Sequence, residues 1–157
     1  MIQRKQTIYL FFSGLVTLIL LFIPFGTLTI EDTPCFEYNA FTVRTISEHV
    51  SVLSTIGNAL LLIATSALSF IAIFLYKNRR LQMKVISFNM LVILAALCCI
   101  MYIYPNFVFA KNINLIGAKL NYNYTIVISF VSAIGLFLAK KAIAKDEAMI
   151  RSADRLR

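Results

Sequence analysis

Long apolar runs alternate with short polar segments along this chain. No Asp, Glu, Lys, Arg or His stands between Lys5 and Glu31, between His49 and Lys77, between Lys84 and Lys111, or between Lys119 and Lys140. A helix rises about 1.5 Å per residue, so roughly 20 apolar residues cross a hydrocarbon core about 30 Å thick. The pattern predicts four spanning helices, at about Thr7–Thr29, Val50–Tyr76, Val85–Tyr104 and Tyr122–Ala139. The stretch "LVTLILLFIPFG" lacks the alternating polarity of a transmembrane β-strand. The expected fold class is all-α: a single four-helix transmembrane bundle over residues 1–157, with 140–157 as a helical cytoplasmic extension. The first run is too long for a signal-peptide core, and no small-x-small cleavage site precedes Glu31, so it reads as a retained helix.

Two segments, about 30–49 and 105–121, connect the helices on the side away from the termini. In the first, "AFTVRTI" alternates and is β-branched, which suits a short strand or hairpin. In the second, Pro105 is expected to end the third helix, and "FVF" and "LI" to dip into the membrane interface. Neither is large enough to fold alone.

Composition sharpens the placement. Sixty per cent of residues are hydrophobic and only 14% charged, against about a quarter charged in soluble domains. Of the 15 Lys and Arg residues, all but Arg44, Lys111 and Lys119 fall on the side that holds both termini. Short basic loops stay cytoplasmic, so the expected topology has both termini inside. The net charge of +8 is then a topology signal, and no nucleic-acid partner is expected.

Little in the sequence points to catalysis. The absence of ionisable residues from the spans argues against a proton-coupled exporter, which needs a membrane carboxylate. Asn58 and Asn89 could line a water path, but hydrogen bonding between helices is the commoner role of such residues. The small residues Ser51, Thr55 and Ala59, at four-residue spacing, and Gly135 and Ala139 mark faces where helices approach closely. With Asn58 and Asn89 they make up the expected helix–helix packing set.

Cys98 and Cys99 are adjacent on a helix and point about 100° apart, so they read as packing residues rather than a redox pair. Cys35 stands alone outside, and His49 has no second ligand at metal spacing. No phosphate loop or nucleophile elbow occurs. An enzyme is not expected, and no cofactor, metal or small-molecule substrate is implied.

The inner loop "KNRRLQMK" places Lys77, Arg79, Arg80 and Lys84 where they can contact anionic headgroups, at about 1 kcal/mol per charge. The tail "AKDEAMIRSADRLR" carries both signs of charge. At helical spacing Glu147 and Asp154 can both reach Arg151. Its apolar stripe of Ala142, Met149, Ala153 and Leu156 is narrow. Ile143 and Ile150 lie beside it, interrupted by Asp146 and Arg157. Such a helix suits protein docking, through Glu147, Arg151, Asp154, Arg155 and Arg157, better than lying in the membrane surface.

The start "MIQRKQTIYL", the loop "FLYKNRRLQMK" and the ending "AIAKDEAMIRSADRLR" resemble a family of small four-helix inner-membrane proteins of Bacteroidota, catalogued as a domain of unknown function. The resemblance spans the chain and implies a bacterial inner (cytoplasmic) membrane protein of a Gram-negative cell with the topology argued above, but carries no activity, cofactor or catalytic residue. The expected role is a non-enzymatic integral subunit or accessory factor of a larger membrane complex, in protein export or envelope biogenesis. Its partners would be membrane lipids and other integral membrane proteins. The alternatives are a small channel or uncoupled transporter, and a membrane redox protein, which the cysteine arrangement disfavours.

Overall fold

The computed structural model describes residues 3–30, 33–109 and 119–155. In chain order they form α1 (Gln3–Ile19), β1 (Gly26–Ile30), β2 (Thr33–Tyr38), β3 (Thr42–Thr45), β4 (Ser51–Ser54) and α2 (Ile56–Phe74). A 3₁₀ turn at Leu75–Lys77 leads into α3 (Arg79–Cys98), which continues as π-helical turns over Cys99–Phe109. β5 (Lys119–Tyr122) and α4 (Thr125–Arg155) complete the fold.

The all-α expectation is overturned. The five strands make one antiparallel sheet in the order β4-β3-β2-β1-β5, so the fold is mixed α/β. β3 falls on the alternating "AFTVRTI", as expected, whereas β1 and β4 take their residues from the ends of two predicted helices. Pro24 cannot continue a helix, and beyond it "GTLTI" alternates as β1 rather than extending the first span. Ser51–Ser54, predicted as the start of the second helix, is β4, and α2 opens only at Ile56.

The other boundaries move for local reasons. Asn78 caps α3, its side chain accepting from the Leu81 amide at 3.3 Å, so α3 starts well before Val85. Pro105 does not end the third helix. The winding widens to π turns from Cys99, before the proline ring arrives, and runs through it to Phe109. α4 continues without a break from Thr125 to Arg155, through the predicted tail.

Three helical stretches are long and apolar enough to cross a membrane: Ile56–Lys77, Arg79–Phe109 and Thr125–Met149. α1 supplies a shorter apolar helix, Gln6–Ile19. α1 packs on α2 and α4, α2 on α3, and α3 on α4, closing a ring of helices. The contact faces are built as small residues allow. A Cβ on Gly135 would lie 3.4 Å from the Ser13 Cβ, and one on Gly14 would lie 3.2 Å from the Ser69 Cβ. Leu10, Ala72, Ile86, Ile93, Leu136, Ala139 and Ile143 form one buried cluster between the helices. A second lies between the helices and the sheet, where Leu20, Phe25, Leu28, Tyr38 and Val43 meet Ala59, Leu62, Ala96 and Ile100.

Candidate functional site at the sheet–helix junction

Strand alternation decides which side chains enter the junction. On β2, Phe36 and Tyr38 point to the helices while Glu37 points away, and Cys35, at the register shift against β1, is partly buried against the same cluster; on β3, Val43 points in and Arg44 out. Tyr38 is 0% exposed. Its ring meets Phe25 edge-on at 5.4 Å and Phe109, from the π-helical segment, at 5.1 Å and 89°. Its hydroxyl accepts a hydrogen bond from the Asn58 side-chain amide, one turn into α2. Burial pushes the Tyr38 phenol far above its ordinary range, the Asn58 bond only partly offsetting it, so the hydroxyl stays protonated.

Further bonds fix the start of α2 to the sheet. The Thr55 hydroxyl donates to the Asn39 carbonyl at 2.9 Å and its amide to the Phe41 carbonyl at 2.8 Å. Both acceptors lie in the β2–β3 turn. Tyr104 closes the other side, and a Cβ on Gly57 would stand 2.9 Å from its hydroxyl. At the far strand, the Thr125 hydroxyl donates to the Pro24 carbonyl at 2.7 Å and the Asn123 amide to the Phe25 carbonyl at 2.9 Å. The sheet is thus joined to α2, the π-helical segment and α4 by buried aromatic and polar contacts.

Within the helical layer the polar side chains sit at one depth. The Ser13 and Ser132 hydroxyls lie 2.8 Å apart across α1 and α4, and Ser66 donates to the Gly14 carbonyl at 3.1 Å. Asn89 donates from α3 to the Thr65 carbonyl at 3.1 Å and the Ser69 hydroxyl at 2.8 Å. The Oδ1 atoms of Asn58 and Asn89 are buried without a partner. Leu62 and Ala59 separate the Asn58 level from this layer, and Leu10, Ile86, Leu136 and Ile143 separate it from the terminal end.

The predicted packing set divides. Asn89, Gly135 and Ala139 lie between helices, whereas Thr55 and Asn58 join helix to sheet and Ala59 packs in the cluster under the sheet. Ser51 is corrected: it is an exposed residue of β4, because the helix expected to carry it starts five residues later. Lys77, Arg80 and Lys84 are exposed around the α2–α3 turn; Arg79 is half-buried, with Nη1 unpartnered. In the tail, Glu147 is half-buried. The side chains of Arg151, Asp154 and Arg155, and Arg157 as a whole, lie outside the described residues, as does the "LI" of the second outer segment.

Several residues escaped the sequence reading. Asp146, read as an interruption of the tail's apolar side, is buried and accepts from the Gln6 side-chain amide of α1. Ile143 and Asp146 therefore face inward, toward Leu10 and Gln6 of α1, while Ala144 and Lys145 between them are exposed. Tyr38 and Phe25 were also missed, although "CFEYNAFTV" alternates around Phe36, Tyr38 and Val43. Among the described residues no group of three His, Cys, Asp or Glu side chains is placed to hold a metal.

A family model described as a domain of unknown function, DUF4293, matches residues 2–156. The chain belongs to that family. Neither the curated proteins nor the solved structures contain a match to it. In this DUF4293 chain the sheet–helix junction is held by the Asn58–Tyr38 and Thr55–Asn39 hydrogen bonds and by the aromatic contacts of Tyr38.

Proposed function

We propose that this DUF4293 protein is a non-catalytic integral subunit or accessory factor of a larger inner-membrane complex, with protein export or envelope biogenesis as its setting. Both termini are cytoplasmic in this reading and the sheet lies on the outer side. The distribution of Lys and Arg supports that orientation, since Lys77, Arg79, Arg80, Lys84, Lys140, Lys141 and Lys145 gather at the end opposite the sheet.

One observation carries the reading. β4 and β5 each pair on one side only among the described residues, so the sheet offers two unpaired strand edges while its other face is anchored in the helices. Open edges are templates for pairing with another chain, and proteins that keep them exposed normally blunt them. Here the edge strands "SVLS" and "KLNY" contain a single charged residue, Lys119. The partner is an integral membrane protein that contributes an extended segment on the same side.

The mixed-charge tail, Glu147 to Arg157, is a secondary cytoplasmic contact in this proposal. Affinity purification from membranes in mild detergent, followed by mass spectrometry, tests the reading. Stoichiometric membrane-protein partners support it, and a monodisperse protein with nothing attached sinks it. Reversal of Arg151 to Glu weakens recovery only if the tail contributes.

A further inference from the structure

A cleft of about 290 Å³ opens where the segment after α1 crosses the outer face of the sheet. Glu37, Asn39, Thr42 and Arg44 make its polar wall, and Phe22 and Phe41 flank it. Both phenylalanines are exposed, Phe22 at 77%. The Asn39 and Phe41 carbonyls are bonded to Thr55 at the start of α2, so the cleft sits at the end of the sheet nearest the helices. In the orientation proposed above, on which this inference rests, that is the depth of the lipid headgroups.

Glu37 and Arg44 are direct cross-strand partners in the β2–β3 ladder. Opposite charges so placed ordinarily pair with each other. These two do not. Glu37 Oε2 accepts from the Asn39 amide at 3.3 Å, and Arg44 Nε donates to the Thr42 hydroxyl at 3.0 Å. Each charge is held by its own neighbour, which leaves carboxylate oxygen and guanidinium N–H groups turned to the same cleft.

We infer that the cleft binds the headgroup of a zwitterionic phospholipid with a primary amine, the phosphoethanolamine class. The Arg44 guanidinium takes the phosphate, for which its planar fork of donors is suited. The Glu37 carboxylate accepts from the ammonium, which has three N–H donors. Phe22 and Phe41 bear on the glycerol and first methylenes of the acyl chains. A choline headgroup offers the same charges without an N–H, and a glycerol headgroup puts no cation against Glu37. Open strand edges and protein partners play no part in this assignment.

The test uses the full-length protein, delipidated in detergent and titrated with mixed micelles of phosphatidylethanolamine, phosphatidylcholine or phosphatidylglycerol. Native mass spectrometry then counts bound lipid. Phosphatidylethanolamine is retained about tenfold better than phosphatidylcholine, the effect of losing one hydrogen bond to a charged group. Glu37→Gln, which keeps the acceptor for Asn39, brings that ratio close to one. Arg44→Gln weakens retention of both lipids, and neither variant shifts thermal unfolding. Equal retention of ethanolamine and choline lipids by the unaltered protein overturns the assignment, as does an unchanged ratio in Glu37→Gln. Displacement of bound lipid by inorganic phosphate alone would mark a phosphate site and also overturn it.

Discussion

The side-chain amide of Asn58, in the first turn of α2, donates to the hydroxyl of Tyr38 in β2, and both residues are 0% exposed. This bond joins the two layers of the molecule where no water can replace a lost partner. Tyr38→Phe leaves the Asn58 amide without its acceptor beside an already unpartnered Oδ1, and costs about 1–3 kcal/mol of stability. Adding Asn58→Leu removes both orphaned groups, so the double variant is more stable than the sum of the two single changes implies, by about 1 kcal/mol. Thermal unfolding in one detergent, carried around the double-mutant cycle, measures that coupling. Strict additivity would contradict it.

Alkaline pH addresses the same bond differently. Burial raises the Tyr38 phenol above its ordinary value of 10.0 in the folded state, whereas the unfolded chain titrates near that value. Between the two the unfolded state binds fewer protons, so stability is flat with respect to this group below about pH 10 and falls as pH rises further. Tyr38→Phe removes this part of the decline. Unfolding midpoints measured from neutral pH to above 10 should fall less steeply in the variant; parallel curves would show that Tyr38 ionises normally.

Gly26 faces the backbone of β5. A Cβ there would stand 2.5 Å from the Asn121 carbonyl oxygen, and that oxygen cannot swing aside as a side chain would. Gly26→Ala therefore forces β5 away from β1 and weakens a pairing that runs from Gly26↔Tyr122 to Thr29↔Lys119. Hydrogen exchange should quicken at residues 119–122 and leave β3–β4 unchanged. Unaltered protection of β5 would show that the strand tolerates the methyl group.

His49 adopts φ 55° at the turn between β3 and β4. The left-handed conformation costs a residue with a Cβ about 1–2 kcal/mol, and glycine gives back about 0.5–1 kcal/mol through its freer unfolded chain. His49→Gly should therefore raise stability by about 0.5–1 kcal/mol, read as a higher unfolding midpoint, with no change in lipid or partner binding. A lower midpoint would mean that the imidazole makes contacts outweighing the backbone relief.

The helices were legible because charge-free runs of membrane length can hardly be anything else: α2 falls within one of them, and the apolar parts of α3 and α4 within two others. Of the sheet only the strand in "AFTVRTI" was legible, as β3; the rest was not, for a physical reason. β1 and β4 are made of apolar and small residues continuous with the flanking helices, so hydropathy alone extends each helix through its neighbouring strand. Pro24 and the alternation of "GTLTI" held the contrary information, as did the paired Phe36 and Tyr38 in β2. Asn58 was legible as a polar residue needing a partner, but its partner is a tyrosine of the sheet and not another helix. Asp146 was hidden by the balanced charge around it, since nothing in the tail's composition shows that residue 146 turns toward Gln6.

Recovery of partners from native membranes tests the central claim most directly when the unaltered protein is compared with Ser51→Lys/Asn121→Lys. These two changes place a charge at an exposed position of each edge strand, β4 and β5, the means by which edges are ordinarily blocked. Membrane insertion and thermal unfolding serve as controls. The account predicts that the unaltered protein recovers integral membrane partners in near-stoichiometric amounts and that the double variant, equally inserted and folded, recovers about tenfold less, a loss of about 1.4 kcal/mol. Equal recovery by both proteins, or a monodisperse unaltered protein with no partner, would contradict it.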